Sequence, residues 1–327
     1  MNIKSRLLRL FEYQGNSYIS GEALAKELSV SRNTVWKAVE SLRAEGYDIS
    51  AVTNKGYRFE NCGDILSEAG INGYIKTAGV FKVEVQKSVT STNTILKERA
   101  AKDVPEGCVL VAEEQTAGKG RMGRGFHSPA GHGIYFSLLL RPDSKAGDAA
   151  LITSAAAVAA ARAIKEVTGV QVGIKWVNDL FVEGKKVCGI LTEATFGMES
   201  GMVESAVLGI GINVTRPGKG FPRELESVAG TLADRAVGRD SERCRLVAAT
   251  LDNFWEYYQD LAQRKFLEEY RTRSIVLGQE IFVLSGDKKI SAQALEIDDD
   301  CGLIVRYENG ETATLSSGEV SVIKCKV

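Results

Sequence analysis

Three stretches with different hydrophobic patterns follow one another along the 327 residues of this chain. Residues 1 to about 60 place apolar side chains at helical spacing, and residues 80 to about 272 alternate strand and helix signals. Residues 273–327 contain only short strand signals separated by turn residues. We therefore predict a multidomain α+β protein with domains at 1–62, 80–272 and 273–327 and a linker at 63–79.

Composition narrows the class of protein. The hydrophobic content of 44% and the charged content of 25% are ordinary for a globular protein, and the net charge of −1 excludes a general polyanion binder. Any affinity for nucleic acid must therefore come from a local surface.

The six cysteines form no C-x-x-C pair, and the chain has only two histidines. This pattern argues against a structural zinc site and a dense disulfide framework, and it is typical of a reducing compartment. The N-terminus lacks the apolar core of a signal peptide. The longest apolar run, the alanine-rich segment 149–164, is interrupted by Arg162. We expect a cytoplasmic protein without a membrane partner.

The first 60 residues predict a winged helix-turn-helix. Apolar residues mark three helices, and Ser31 and Gly46 are suitable caps for the third. The residues Thr53 to Gly56 then separate two short apolar stretches, which indicates a hairpin. The helical positions are Leu7, Leu10, Phe11, Ala23, Leu24, Leu28, Val35, Ala38, Val39 and Leu42.

On the third helix, polar and aromatic residues lie opposite the apolar face, as a DNA-reading helix requires. Charge gives little support, because residues 1–60 carry nine Lys or Arg against seven Asp or Glu. A solvated amphipathic helix and a protein-docking module remain open alternatives. The candidate DNA-binding residues are Arg32, Asn33, Thr34, Trp36, Lys37, Lys55 and Arg58.

The central stretch predicts an α/β domain with a mixed sheet, and the tail predicts a small β-barrel or meander. Asn309-Gly310 is the strongest hairpin signal of the tail. The expected strands are 81–86, 108–112, 134–140, 173–176, 180–182, 187–195, 203–212, 281–284, 290–297, 303–307 and 311–315. The expected helices are 92–102, 149–168 and 242–270.

A glycine-rich segment at 113–129 carries the clearest chemical signal. Its G-x-G-x-x-G pattern is not a dinucleotide-binding turn, because no helix signal follows it, and it is not a Walker A loop. It predicts a strand–loop–strand with three cations, Lys119, Arg121 and Arg124, on a flexible backbone. Such a loop suits a reaction that brings two anions together, although a mobile surface loop remains the alternative.

Lys175 stands in an apolar stretch before the polar turn Asn178-Asp179. A lysine in such a place is costly unless an anion accompanies it. The anion is either a ligand or a structural salt-bridge partner, and the residues alone leave both readings open.

Taken together, these motifs resemble those of biotin–protein ligases. The segment 118–124 is similar to the family's G-R-G-R-x-G-R, 175–180 to K-W-P-N-D-L, 186–193 to K-x-x-G-I-L-x-E, 209–213 to G-x-G-I-N, and 91–93 to S-T-N. Lys119 stands where the family has Arg, and Val177 where it has Pro. The resemblance spans nearly the whole chain and implies a class II synthetase-like central domain and an SH3-like C-terminal barrel, the layout of the bifunctional bacterial type.

The resemblance also implies roles for particular residues. Lys175 and Arg121 would be catalytic. Biotin would contact Ser91, Thr92, Asn93, Gln115, Lys119, Gly120, Arg121, Lys175 and Gly189. ATP and the adenylate would contact Arg121, Arg124, Phe126, Lys175, Asn178, Gly211 and Asn213. No resident metal is expected beyond the Mg²⁺ that accompanies ATP.

The activity implied by the resemblance has two steps: biotin and ATP form biotinyl-5′-AMP, and a lysine of the biotin carboxyl carrier protein takes the biotin. The same resemblance implies a biotin-responsive repressor that dimerises with the adenylate bound and binds operator DNA. A lipoate-type acyl-adenylate ligase and a ligand-sensing regulator without ligase activity are the alternatives.

Overall fold

The computed structural model describes residues 2–14, 17–61, 64–102, 104–142, 149–197, 202–218, 220–233, 242–285 and 288–322. Within them lie a two-stranded, a seven-stranded and a five-stranded sheet, in chain order. None of the helices in these ranges has the length and apolar character needed to cross a membrane.

The N-terminal domain is the helix-turn-helix with a hairpin that the sequence predicts. It consists of α1 (Ile3–Gln14), α2 (Gly21–Leu28), α3 (Arg32–Ala44), β1 (Asp48–Val52) and β2 (Gly56–Asn61). The Ser31 hydroxyl caps α3 by accepting the Thr34 N–H at 3.1 Å. The predicted apolar residues of the three helices form one core with Tyr47, Ile49 and Phe59, except Ala23, which is exposed because the buried face of α2 consists of Leu24, Ala25 and Leu28.

The described residues of the central region form seven strands and five α-helices. Its sheet has the order β3-β4-β5-β9-β8-β7-β6, in which only β3 and β4 are parallel, so the predicted mixed sheet is confirmed. The elements are α4 (Glu68–Tyr74), β3 (Lys82–Gln86), α5 (Thr92–Ala100), β4 (Cys108–Ala112), β5 (Gly133–Leu140), α6 (Ala149–Thr168), β6 (Gly173–Lys175), β7 (Asp179–Val182), β8 (Lys185–Phe196), β9 (Val203–Asn213), α7 (Glu242–Tyr258) and α8 (Leu267–Arg273).

The prediction of one continuous helix over 242–270 is wrong. The chain leaves α7 after Tyr258, passes through a 3₁₀ turn at Leu261–Gln263 and a left-handed residue, Arg264, and re-enters a helix at Leu267. The break brings the ring of Phe266 to 5.9 Å from that of Tyr257. A continuous helix would separate these residues by about 13 Å along its axis, so packing of a buried aromatic residue outweighs local helix propensity.

The C-terminal sheet contains the four predicted strands and a fifth. These are β10 (Glu280–Ser285), β11 (Lys288–Ile297), β12 (Leu303–Tyr307), β13 (Thr312–Leu315) and β14 (Glu319–Val322), all antiparallel in the order β13-β12-β11-β10-β14. The sequence reading missed β14, which is only four residues long and follows Gly318. The predicted turn at 286–287 lies outside the described residues.

The central and C-terminal sheets share one hydrophobic core, and the turn after Lys175 lies at their junction. The Trp176 indole N–H donates to the carbonyl of Cys301 at 2.9 Å, and the Tyr270 hydroxyl donates to the carbonyl of Val177 at 2.9 Å. The peptide bond between Trp176 and Val177 is cis. The C-terminal sheet thus supports the turn from behind.

Arg243, on α7, joins the connector, which is the segment between β2 and α4, to the central sheet. Its guanidinium is almost completely buried and binds the carboxylate of Asp64 at 2.8 Å and that of Glu113 at 2.7 Å. Since Glu113 directly follows β4, the connector is anchored close to the glycine-rich segment.

Candidate active site

The N-terminus of α5 belongs to a buried cluster of polar side chains, which we call the polar pocket. Ser91 caps the helix, and the Thr92 backbone N–H donates to Gln115 Oε1 at 2.9 Å. The Thr92 hydroxyl lies 3.1 Å from the same oxygen, and Gln115 Nε2 donates to Ser128 Oγ at 3.0 Å. Because Gln115 and Ser128 stand at opposite ends of the glycine-rich segment, this pocket fixes the base of the loop.

The network continues through the core of the sheet. Ser137 Oγ lies 2.7 Å from Thr92 Oγ1 and 2.6 Å from Asn93 Oδ1. Asn93 Nδ2 donates to Glu193 Oε2 at 3.0 Å, and Lys97 Nζ donates to Glu193 Oε1 at 2.8 Å. The pocket is therefore held by a connected set of hydrogen bonds that needs no ligand.

Glycines on β8 and β9 let side chains lie directly on the sheet backbone. A Cβ added to Gly209 would meet Asn93 Oδ1 at 2.1 Å, and one added to Gly211 would meet the Phe126 ring at 2.4 Å. A Cβ on Gly189 would lie 3.1 Å from the other edge of that ring. Phe126 therefore packs against Gly189 and Gly211, because a side chain at either position would run into its ring.

The glycine-rich loop is a short hairpin with an exposed tip. The Phe126 N–H donates to the Gly118 carbonyl at 2.8 Å, and the Gly120 N–H donates to the Arg124 carbonyl at 2.7 Å. At the tip, Met122 has a φ of 55° and is 70% exposed. A 3₁₀ turn at Arg121–Gly123 lies within the motif, but among the described residues no α-helix begins there and the next element is β5.

Two arginines tie the loop to other parts of the chain. Arg121 donates to Asn178 Oδ1 at 3.0 Å and to the Gly318 carbonyl at 2.8 Å. Arg124 forms a two-pronged ion pair with Glu319, whose pKa is lowered chiefly by this hydrogen bonding. Both arginines thus use oxygen acceptors from the beginning of β14 or just before it.

Lys175 lies beside the loop at the end of β6, with Nζ 5.6 Å from the centre of the Phe181 ring. Partial burial lowers the pKa of Lys175; the carboxylates of Asp179 and Glu319 oppose this shift, and the positive charges of Lys186 and Arg124 add to it. Asp179 is itself paired with Lys186 at 2.6 Å. A partly desolvated ammonium whose neighbouring carboxylates are each paired with another cation is a place for an anion.

The site therefore has a polar end and a cationic end. The loop joins them, because its base holds Gln115 and Ser128 while its tip holds Arg121 against Asn178 of the Lys175 turn. An elongated molecule with an uncharged polar head and an anionic tail fits such an arrangement, and a second anion has cations to meet it.

The sequence matches three family models in the same order as the three regions. Residues 4–58 match an HTH domain, residues 85–213 the biotin/lipoate A/B protein ligase family, and residues 276–322 the biotin protein ligase C-terminal domain. The chain is 36% identical to the bifunctional ligase/repressor BirA of Bacillus subtilis over 94% of its own length and 95% of that protein. The chain belongs to the bifunctional ligase/repressor family.

Other family members extend the comparison. The bifunctional ligase/repressor BirA of Escherichia coli is 27% identical over 93% of this chain and 92% of that protein. Among solved structures, the biotin protein ligase from Aquifex aeolicus in complex with biotin and ATP has a TM-score of 0.61 and 28% identity, covering 74% of this chain and 98% of that one.

For this member of the family, the structure brings most of the predicted site residues together. The S-T-N segment, Gln115 and the loop meet at the polar end, and Lys175, Arg121, Arg124 and Asn178 meet at the cationic end. Lys119 is exposed on the loop, and Asn213 Nδ2 donates to the Gly230 carbonyl at 3.1 Å, outside both clusters.

The sequence reading missed four residues of the pocket network: Ser128, Ser137, Lys97 and Glu193. Ser137 is completely buried inside β5, and no sequence pattern separates it from an ordinary core serine. Glu193 is the last residue of the K-x-x-G-I-L-x-E motif, but the motif by itself indicated no role for this glutamate.

The predicted DNA-binding residues lie on the N-terminal domain. Arg32, Asn33 and Lys37 are exposed on α3, and Trp36 is 51% exposed and does not bury itself against the wing. On the hairpin, Lys55 and Arg58 flank the Tyr18 ring at 5.9 and 4.8 Å, and Arg58 is also paired with Glu60.

Proposed function

We propose that this protein is a biotin–carrier-protein ligase that makes biotinyl-5′-AMP from biotin and ATP and passes the biotin to a lysine of the carrier. The observation that carries the proposal is the loop that joins an uncharged polar pocket to a cluster of cations around Lys175. Biotin has the matching shape, with a polar ureido ring at one end and a carboxylate at the other.

The pocket favours biotin over lipoate. Thr92, Gln115 and Ser128 offer hydroxyl and amide groups to a ureido ring, and Gln115 Oε1 is an acceptor that a ureido N–H can fill but a dithiolane cannot. In this assignment Ser91, Thr92, Asn93 and Gln115 surround the ring, and Lys119, Gly120 and Gly189 line the way to the carboxylate.

At the cationic end, the biotin carboxylate oxygen attacks the α-phosphorus of ATP, and pyrophosphate leaves. Lys175 and Arg121 offset the repulsion between the two anions and stabilise the charge that develops on the phosphoryl oxygens. The carrier lysine then attacks the anhydride carbonyl, an amide forms and AMP leaves. We assign Arg124, Asn178, Gly211 and Asn213 to the nucleotide, with Phe126 beside the adenine.

Mg²⁺ would enter with the triphosphate. The carboxylates next to the Lys175 turn, Asp179 and Glu319, are each paired with a cation of the chain. The phosphate oxygens of ATP are therefore the ligands we propose for the ion, which would spread the negative charge of the leaving pyrophosphate.

We further propose that the protein is a biotin-responsive repressor. The exposed face of α3 would enter the major groove, with Arg32, Asn33, Thr34, Trp36 and Lys37 near the bases and Lys55 and Arg58 near the flanking phosphates. Biotinyl-AMP would act as corepressor by promoting a homodimer that places two such helices on a palindromic operator. We place the protein in the cytoplasm, where ATP and DNA are found.

Finer features of the fold belong to the same proposal. We assign the domains to 1–62, 80–272 and 273–327 with a linker at 63–79, a class II synthetase-like centre and an SH3-like form for the C-terminal sheet. The support is the order of the family matches and the three sheets.

The ligase is tested by ATP–pyrophosphate exchange with biotin, lipoate or octanoate as the acid. Exchange with biotin alone is expected. Exchange with lipoate instead would assign the alternative ligase, and no exchange with any acid would leave a ligand-sensing regulator.

DNA binding is tested on duplexes selected from a random library at fixed salt, with and without biotin and ATP. We expect tighter binding when the adenylate is present, and sedimentation of a dimer. Trp36→Ala should abolish selective binding, while Tyr13→Ala, at a still more exposed aromatic residue on α1, should leave it intact. Equal affinity with and without adenylate would contradict the repressor function.

A further inference from the structure

Glu193 connects the polar pocket to a surface cation. One of its carboxylate oxygens accepts from Lys97 Nζ at 2.8 Å, and the other accepts from Asn93 Nδ2 at 3.0 Å. Asn93 Nδ2 also lies 3.4 Å from the Leu191 carbonyl. Neither Glu193 nor Lys97 has a place in the chemistry described above, although Glu193 is only 23% exposed and lies beneath the pocket.

An ionised carboxylate only accepts hydrogen bonds, so it determines which way the Asn93 amide is turned. Burial opposes the charge of Glu193, but hydrogen bonds from Lys97 and Asn93 outweigh it and lower the pKa of the carboxyl. The opposite orientation of the amide would place Asn93 Oδ1 against the carboxylate. Asn93 Nδ2 therefore faces Glu193, and Oδ1 faces Ser137.

The orientation of the Asn93 amide then determines which hydroxyl group donates at each step of the network. Because Asn93 Oδ1 only accepts, the single hydrogen of Ser137 is directed to it across 2.6 Å. The 2.7 Å contact between Ser137 and Thr92 is then made by the hydrogen of Thr92. Gln115 Oε1 is left with the Thr92 backbone N–H alone and keeps a lone pair for another donor.

We propose that Glu193 is a positioning residue that sets the direction of every hydrogen bond from Lys97 to Gln115 and so makes the pocket select a ligand that donates N–H. A ureido ring is such a ligand, and a dithiolane is not. The inference rests on the proposed function in taking biotin as the substrate.

An uncharged side chain of the same shape removes the constraint. With Glu193→Gln, an amide hydrogen can face Asn93, which allows the Asn93 amide to turn and donate to Ser137. Ser137 would then donate to Thr92, and Thr92 to Gln115 Oε1. The acceptor that the ligand needs would be filled, while every group of the network keeps a partner.

The experiment is pyrophosphate exchange on the full-length wild type and on Glu193→Gln, Glu193→Asp and Lys97→Met, with KM measured separately for biotin and ATP. Glu193→Gln should raise the KM for biotin roughly 10-fold. The KM for ATP and the rate at saturating biotin should stay within about 2-fold, because the cationic end is untouched. Glu193→Asp keeps an acceptor-only group and should recover most of the biotin affinity.

Lys97→Met tests whether the direction of the hydrogen bonds or the ion pair itself determines the KM for biotin. It removes the ion pair but leaves the carboxylate next to Asn93, so the KM for biotin should change by less than about 3-fold. Thermal melting of each variant shows whether it is folded. An unchanged KM for biotin in Glu193→Gln, or an equal increase in Lys97→Met, would overturn the inference.

The same assay distinguishes this inference from the proposed function. A wild type that does not exchange with biotin would reject the function. A wild type that exchanges with biotin, combined with an unaffected Glu193→Gln, would reject the role of Glu193 alone.

Discussion

The two ends of the site are built differently. At the polar end, Ser91, Thr92, Asn93 and Ser137 are all less than 5% exposed and lie on a helix and a strand that belong to the core. At the cationic end, the loop is exposed, and its arginines are held by oxygen acceptors from a distant part of the chain. In the proposed function, the head of the substrate would bind to a surface that is already ordered, and its tail to one whose arginines must exchange partners on binding.

This difference predicts that substitutions at the cationic end change rates and those at the polar end change affinities. Charge stabilisation acts on the transition state, while ureido contacts are made equally in the ground state.

Lys175→Ala should give the largest effect, a loss of about 10²- to 10³-fold in biotin-dependent exchange. The lysine is the partly buried cation at the turn, and alanine leaves the two reacting anions facing each other. Lys185→Ala is the matched control, because Lys185 donates to the Glu226 carbonyl at the surface. A loss of less than about 5-fold in Lys175→Ala would remove this lysine from the reaction.

Thr92→Val should raise the KM for biotin about 10-fold and leave the KM for ATP unchanged. Valine keeps the shape but removes the hydroxyl that contacts Ser137 and lies 3.1 Å from Gln115 Oε1, where the ring is proposed to bind. Thr94→Val, two residues along the same helix, is the control. A change in the KM for ATP would mean that the two ends are not separable.

Arg121→Ala should release adenylate into solution severalfold faster. Arg121 anchors the loop tip to Asn178 and Gly318, and without it the loop no longer excludes water from the anhydride. Met122→Ala, at the exposed tip, should retain adenylate normally. Release is followed by chromatography of the filtered reaction, and wild-type retention by Arg121→Ala would contradict the closing role of the loop.

The smallest expected effect is on the pH profile. Burial lowers the pKa of Lys175, so its charge is present at low pH and is lost as pH rises through a value below that of an ordinary lysine. The exchange rate at saturating biotin should fall at that lower pH. The KM for biotin should stay constant over the same range. A parallel change in both constants would contradict the separation of the two ends.

Candidate site residues could be predicted from the sequence at positions that admit few residue types. Glycines with no room for a side chain, such as Gly209 and Gly211, and a lysine in an apolar strand leave a pattern that can be read directly. Ser137 and Glu193 could not be found in this way, because their roles arise from contacts between residues about 44 and 100 positions apart.

The errors in the fold also have physical causes. The break after Tyr258 comes from packing of Phe266, which no local helix signal contains. Strand β14 depends on pairing with β10, nearly 40 residues earlier in the chain.

The junction behind the Lys175 turn has a consequence for any attempt to shorten this protein. The indole of Trp176 and the carbonyl of Val177 are both satisfied by groups from residue 270 onwards, and the cores on either side are one. Removal of the last 50 or so residues would leave the bond from Tyr270 to Val177 in place, but it would remove the acceptor of the Trp176 indole N–H and expose the core behind the Lys175 turn. A shortened form of this protein would need other residues to cover the back of the Lys175 turn.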